Sequence, residues 1–336
     1  MSQAAQSDST MSALVFAAPG EAMQVAEVAR PVAGAGQVLV RIAASGVNPL
    51  DLKIAAGQAA HAKVQAPAIL GIDLAGIVEA VGDDVADFHV GDAVYGMTGG
   101  VGAAPGSLAT HAAVDARLLA HKPATISMRE AAALPLIVIT AWEGLVDRAR
   151  VAAGMKVLVQ GGAGGVGHIA VQVARAFGAE VYATGSADQH GLIEALGATA
   201  IDRNTAVDDY VATHTDGDGF DIIYDTVGGA TLDNAFRAAR TNGGHVVSCL
   251  GWGTHALAPL SFRAATYSGV FTLLPLLSGK GRARHGAILR EAAALIDAGK
   301  LKVLLDPQHY TLATVADAHR SLASGSNSGK LVIDID

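Results

Sequence analysis

Between Ala13 and about Lys122 the apolar residues come in short runs, often alternating with polar ones and broken by glycine. Val38-Leu39-Val40-Arg41-Ile42, Gly76-Ile77-Val78-Glu79-Ala80-Val81 and Asp92-Ala93-Val94-Tyr95 have the spacing and β-branched content of half-buried strands, which predicts an antiparallel β domain. After Pro123 the texture changes. Alanine-rich helical stretches over 128–134 and 138–149 precede a regular alternation of strands and helices. Strands are predicted over 156–160, 180–184, 200–201, 220–225 and 245–250, and helices over 166–177, 191–196 and 231–239. Short strands separated by helix-length segments specify parallel pairing through crossovers, and so a doubly wound sheet. The last segment predicts a helix over 284–298, a strand over 301–305, a helix over 315–322 and a strand over 330–335. A lone Leu-Val-Ile strand needs a sheet to join, so this segment is expected to return to the first domain. The fold class is α/β, with residues 1–11 a disordered leader, 12–130 with 281–336 one domain, and 131–280 the other.

Composition agrees with two domains, since 336 residues exceed the roughly 250–300 at which a single core stops growing. Hydrophobic residues make up 51% and charged ones 16%, with 40 glycines, as in a compact chain with many tight turns. The formal charge of −8, without a run of Lys or Arg, gives no electrostatic reason to expect nucleic acid or an anionic membrane. Cys249 is the only cysteine, which excludes an intrachain disulfide and a multi-thiolate metal site and suits a reducing cytoplasm. The leader lacks the apolar core of a signal peptide, and no apolar run reaches the roughly 18 residues of a membrane span.

The most specific motif lies over 157–177, where Val-Leu-Val-Gln runs into Gly161-Gly162-Ala163-Gly164-Gly165-Val166-Gly167 and then an amphipathic helix. Gly162, Gly164 and Gly167 satisfy G-x-G-x-x-G between a strand and a helix, the context in which that pattern binds a dinucleotide. Without Cβ atoms the loop approaches a pyrophosphate, and the helix N-terminus offers free N–H groups and a positive dipole end. Enzymes that use NAD place a carboxylate near the end of the second strand, against the ribose 2′-OH. Here that strand ends at Gly185-Ser186, with no carboxylate at its tip, and Arg203 is a candidate partner for a 2′-phosphate. NADPH is therefore the expected cofactor, although an exposed loop explains Arg203 equally well.

The sequence resembles the medium-chain dehydrogenase/reductase superfamily, and within it the zinc-independent quinone oxidoreductase and enone reductase branch. The likeness covers nearly the whole chain. It rests on Ser45-Gly46-Val47-Asn48-Pro49-Leu50-Asp51, Gly71-Ile72-Asp73-Leu74-Ala75-Gly76, Gly91-Asp92-Ala93-Val94, the glycine loop, and Asp225-Thr226-Val227-Gly228-Gly229. The resemblance implies a GroES-like catalytic domain, a Rossmann domain, a substrate cleft between them and a homodimer. It also implies cofactor contacts from Thr140, Thr226, Val227, Leu250, Gly251, Trp252, Phe271, Thr272 and Asn327, with core packing an equal alternative for Val227 and Phe271. The zinc-dependent branch has a cysteine ligand at the position of Asn48 and a histidine ligand at that of Ile72, and neither residue present can hold catalytic zinc. His61, His111 and His121 read as surface or loop residues, and no H-E-x-x-H pair exists.

Without a Lewis acid the chemistry expected is hydride delivery to an acceptor that is already activated, a quinone or an α,β-unsaturated carbonyl. Charge then grows on the carbonyl oxygen, where a donor lowers the barrier. Asn48 and Lys53 are the candidates. Lys53 stands where quinone reductases of the family have tyrosine and resembles the lysine of alkenal and enone reductases. The proton can come from water, and a structural role for Lys53, paired with Asp51, remains an alternative. Two other readings stay open: an NADPH-binding sensor or structural protein, and an enoyl-thioester reductase whose coenzyme A would meet Lys280, Arg282 and Arg284.

Overall fold

The computed structural model describes residues 9–335. The chain divides into two compact units, one formed by the chain through Leu136 with Leu273–Asp297 and the segment from Val303 onward, the other by Ile137–Thr272 with Ala298–Lys302. Residues 1–8 of the expected leader lie outside the described residues, but its last part is not a leader: Thr10 and Met11 open the first strand, pairing with Ala29 and Val28, and Met11 is buried.

In the first unit, β1 (Thr10–Phe16) lies between β2 (Gln24–Ala29) and the short β4 (Ala68–Ile69). A seven-stranded sheet is built around β3 (Gln37–Gly46) and β5 (Asp73–Val81), continuing through β6 (Ala93–Met97) to β8 (Leu119–His121), with β7 (His111–Asp115) also paired to β3. Val38, Val40 and Ile42 of β3 are buried with Leu74 and Val78 of β5, as their alternation requires. Helix α1 (Pro49–Ala55) follows β3 directly; Asn48 is its N-cap, Pro49 its first residue, and Asp51 accepts the Asn48 N–H in a capping box. Helices α2 (Met128–Ala132) and α3 (Pro135–Trp142) come next, the latter passing at Ile137 into the second unit. Where the pattern predicts one α-helix through Ala149, residues Glu143–Arg148 form a π-helical turn instead.

The second unit holds a six-stranded parallel sheet of β9 (Lys156–Gln160), β10 (Glu180–Gly185), β11 (Thr199–Asp202), β12 (Ile222–Asp225), β13 (His245–Ser248) and β14 (Thr266–Gly269). Their order, β11-β10-β9-β12-β13-β14, reverses direction at β9, the doubly wound arrangement. The crossovers are α4 (Gly165–Ala176), α5 (His190–Ala195), α6 (Val207–Thr215), α7 (Ala230–Ala238) and α8 (Ala258–Arg263). On one face Leu158, Tyr182, Ile223 and Val246 pack with Tyr210 of α6, Leu232 and Phe236 of α7, and Leu260 of α8. Here α6, α8 and β14 lie where the hydrophobic pattern predicts no element.

The chain then rejoins the first unit through α9 (Leu274–Ser278) and α10 (Arg282–Asp297). Arg282 reaches the carboxylate of Asp115 at 2.9 Å, and Tyr95 donates to the Leu289 carbonyl at 2.7 Å. The expected strand over 301–305 does not form. Only Leu305 makes a bridge, to Lys330, because Leu301 and Lys302 are drawn to the second unit, where Gln172 clasps the backbone N–H and carbonyl of Lys302. After β15 (Tyr310–Thr311) and α11 (Val315–Ser324), β16 (Val332–Asp334) enters the seven-stranded sheet between β15 and β3, with Val332 opposite Gly46.

Candidate functional site

In the second unit, the loop between β9 and α4 is set by backbone contacts. Gly161 has φ of +77°, a conformation that costs glycine nothing, and its N–H donates to Thr184 Oγ1 at 3.1 Å while that of Gly162 donates to the Thr184 carbonyl at 2.9 Å. Gly167 lies against Gly161 so closely that a Cβ there would stand 2.0 Å from the Gly161 carbonyl oxygen. The first turn of α4 has Gly164 as N-cap with no side-chain cap, which leaves the N–H groups at Gly165 and Val166 pointing out of the helix end. Gly164 and Gly165 are exposed and Ala163 and Val166 half-buried. These features fit a pyrophosphate: a cradle without side chains, uncapped donors, and the positive end of a three-turn helix.

Apart from Thr140 in α3, the other expected cofactor residues of this unit lie at or just after the C-terminal ends of the strands. Gly185 ends β10, Ser186 follows it half-buried, and the Arg203 N–H donates to the Gly185 carbonyl at 2.8 Å with its side chain exposed. One carboxylate missed from the sequence lies close by: exposed Asp188, two residues beyond Ser186, accepts a hydrogen bond from it and is held below its usual pKa by that bond and by Arg203. At β12, the Thr226 hydroxyl donates to the Gln160 carbonyl at 2.7 Å, and Val227 is half exposed. Fully buried Asp225 organises this end, accepting the N–H groups of Val227 and Gly228 at 3.1 and 3.0 Å and the Ser248 hydroxyl at 2.7 Å; Ser248 Oγ in turn accepts the Leu250 N–H. Gly251 and Trp252 are exposed beyond Leu250, the indole packing edge-on against Phe271 at 6.1 Å. Thr272 is buried, and the carbonyl of buried Thr140 accepts the Tyr224 hydroxyl at 2.6 Å.

In the first unit the remaining candidates separate by environment. Lys53 is exposed in the last turn of α1, and Asn327 is half-buried, donating to the Gly329 carbonyl at 2.7 Å. Asn48 is 1% exposed, and both ends of its carboxamide are engaged: Oδ1 accepts from Lys330 Nζ at 2.6 Å and Nδ2 donates to Asp73 Oδ2 at 2.9 Å. Lys330 also donates to the Val47 carbonyl at 2.7 Å, and Asp73 Oδ1 accepts the Leu136 N–H at 3.0 Å. Burial pushes the Asp51 and Asp73 carboxyls up to about 7, against the pull of Lys330, while the same burial lowers Lys330. Sequence reading left Asp73 and Lys330 out of the site. Their signal is a charged residue directly before an apolar run, Asp73 ahead of Leu74-Ala75-Gly76-Ile77-Val78 and Lys330 ahead of Leu331-Val332-Ile333. Ile72 is fully buried, and among the described residues no three His, Cys, Asp or Glu side chains gather as a metal would require.

A doubly wound nucleotide unit joined to a β-rich unit that reclaims the chain's C-terminal part defines a two-domain dinucleotide-binding protein. Residues 34–124 match the family described as alcohol dehydrogenase GroES-like domain, and residues 196–333 the family described as zinc-binding dehydrogenase. The chain is 35% identical over 319 residues to a 2-methylene-furan-3-one reductase of Solanum lycopersicum, covering 91% of this chain and 74% of that one. It is 34% identical over 306 residues to the chloroplastic NADPH-dependent alkenal/one oxidoreductase of Arabidopsis thaliana, covering 88% and 72%. An alcohol dehydrogenase superfamily protein from Novosphingobium aromaticivorans superposes with a TM-score of 0.95 at 54% identity, over 97% of this chain and 100% of that one. The chain belongs to the medium-chain dehydrogenase/reductase superfamily, with a GroES-like and a Rossmann domain.

Proposed function

We propose that this protein is a zinc-independent, NADPH-dependent reductase of α,β-unsaturated carbonyl compounds, with quinones as alternative acceptors. The observation that carries the reading is the glycine loop, whose close approach of Gly167 to Gly161 leaves an uncapped helix end free for a pyrophosphate. The two relatives named above for acting on a methylene-furanone and on alkenals and enones favour enones. Gly165 and Val166 would hold the pyrophosphate, and Ser186 and Arg203 the 2′-phosphate, with exposed Asp188 opposing the latter. When bound, reduced nicotinamide supplies hydride. Lys53, exposed on α1, would meet the carbonyl oxygen and stabilise the charge that develops there, while water protonates the neighbouring carbon. Metal independence is supported by donor chemistry: the Asn48 amide is committed to Lys330 and Asp73, and Ile72 has no donor atom.

The test is steady NADPH oxidation with a panel of alkenones, quinones and a short enoyl thioester, before and after dialysis against a chelator. Turnover of alkenones that survives chelation is the expected result. NADPH binding without turnover on any acceptor would make the protein a binding module, and loss of turnover with the metal would end the zinc-independent reading. The reading includes a homodimer in the cytoplasm. Support for the dimer comes from the exposed edge strand β14 and the neighbouring exposed Leu257 and Phe262, the latter 84% exposed. The lone free thiol of Cys249 suits a reducing compartment.

A further inference from the structure

The first unit buries a group of polar side chains that the reductase reading does not use beyond Asn48. They come from three places in the chain: Asn48 and Asp51 at the start of α1, Asp73 at the start of β5, and Lys330 just before β16, none more than 7% exposed. Removing an ammonium and two carboxyls from water is costly, and such buried charged groups are weak contributors to stability beside apolar residues of similar volume. What the polar set adds is direction. An asparagine amide can face either way round, but here Lys330 offers only donors and Asp73 offers acceptors, so Oδ1 is held toward one and Nδ2 toward the other.

The two carboxyls are not equivalent. Asp73 has a donor on each oxygen, from Asn48 Nδ2 and from the Leu136 N–H, the surroundings of a carboxylate. Asp51 accepts the Asn48 N–H on Oδ2, while its buried Oδ1 has no hydrogen-bond partner among the described residues, so fewer donors stabilise a negative charge on Asp51 than on Asp73. One ammonium, one carboxylate and one neutral acid leave the buried group without net charge. We propose that Lys330 and Asp73 are positioning residues that lock the Asn48 carboxamide in one orientation, and that Asp51 carries the proton that keeps this clamp neutral. The proposal rests on the reductase reading, with Asn48 a candidate donor to the acceptor's carbonyl oxygen together with Lys53.

The clamp's charge is set by its own three titrating groups. On the elements packed around it, Arg129 of α2 and Asp334 of β16 pair with each other, Glu130 of α2 caps Ser127, Glu79 of β5 pairs with Arg30, Arg41 and His111, Asp317 and Arg320 of α11 pair with each other, and burial pushes His319 of α11 down to about 4; Lys53 of α1 is exposed. Burial lifts both the Asp51 and the Asp73 carboxyl to about 7, and the donors on the two Asp73 oxygens leave the shared proton to Asp51, from which it departs in the neutral range. Because this folded value lies above that of the unfolded chain, the stability linked to it is fully present at acid pH and is lost as pH rises toward 7. Above that, a second buried negative charge faces Asp73 and loosens the amide, and kcat/KM for alkenone reduction falls.

Infrared difference spectra of the nucleotide-free, full-length protein, titrated between about pH 5 and 9, test the proton directly. A protonated-carboxyl band that disappears near neutrality and is missing in Asp51→Asn is the expected result; a wild type without such a band, or an Asp51→Asn that keeps it, overturns the assignment. With methyl vinyl ketone as acceptor, Asp51→Asn should flatten the alkaline decline of kcat/KM, and an unchanged profile overturns the clamp. Lys330→Met should lower kcat about tenfold or more at constant NADPH Kd, with partial recovery in Lys330→Arg. Equal kcat in wild type and Lys330→Met refutes the positioning role. If no acceptor is reduced, the reductase reading fails while the infrared titration still decides where the proton sits.

Discussion

Gly167→Ala tests the nucleotide loop at the point where it has least room. The added Cβ would stand 2.0 Å from the Gly161 carbonyl oxygen, 2.8 Å from its carbonyl carbon and 3.0 Å from Gly162 Cα. Carbon contacts settle at about 3.5–4.0 Å, so the loop and the first turn of α4 must separate by roughly 1 Å, and no side chain stands between them to give way. That movement stretches the Gly164 N–H bond to the Gly161 carbonyl, now 3.0 Å, and the Gly162 N–H bond to the Thr184 carbonyl, now 2.9 Å. Overpacking of this kind costs about 1–3 kcal/mol of stability. Misplacing one charge-assisted donor to the pyrophosphate removes about 1.5–3 kcal/mol of binding, a rise in Kd of roughly 10- to 100-fold. Kd for NADPH would be measured by quenching of intrinsic fluorescence, with Tm followed in parallel. Gly191→Ala is the control, because a Cβ there meets nothing within 4 Å and the residue lies in α5 at negative φ. It should leave NADPH affinity unchanged and stabilise by up to about 1 kcal/mol. A Gly167→Ala protein with wild-type Tm and a Kd within about twofold of wild type would refute the loop argument.

Lys53→Met should lower kcat for alkenones by about tenfold or more without changing NADPH Kd, read by steady-state kinetics; equal kcat would remove Lys53 from the reaction. Arg203→Ala should weaken NADPH by about fivefold and leave NADH unaffected, since only a 2′-phosphate would engage an exposed guanidinium. A parallel loss for both dinucleotides would make it a general loop effect. Phe262→Asp, on the exposed face of α8, should shift the protein toward monomer in sedimentation velocity, and an unchanged dimer would place the interface elsewhere.

Much of the second unit can be read from the chain because burial there is two-sided. Lys156–Gln160 has the bounds expected of it, an apolar run stopped by a glycine in the left-handed region. Val207–Thr215 carries two aspartates and several β-branched residues, and Thr266–Gly269 is an exposed edge, so neither shows a periodic apolar face. The nucleotide loop was legible because every part of it is local. Lys330 was not: its partners Val47 and Asn48 are more than 280 residues away, and only the pairing of Val332 with Gly46 brings it to them. A lysine ahead of an apolar strand otherwise reads as solvated. Asp225 opens one of the motifs that carry the family resemblance, but its hold on the Val227 and Gly228 amides depends on a turn that the residue types alone do not specify.

The late entry of β16 beside β3 also bears on how the chain is made. All six strands of the second unit lie between Lys156 and Gly269, so that sheet can form as soon as its own stretch leaves the ribosome. Gly46, by contrast, waits for Val332, 286 residues later, which at a synthesis rate of roughly 5–20 residues per second is a delay of about 14–57 s. Throughout that interval the Ala44–Gly46 end of β3 lacks its β16 partner and the amide of Asn48 lacks Lys330, so the earlier-synthesised unit is the later one to be completed.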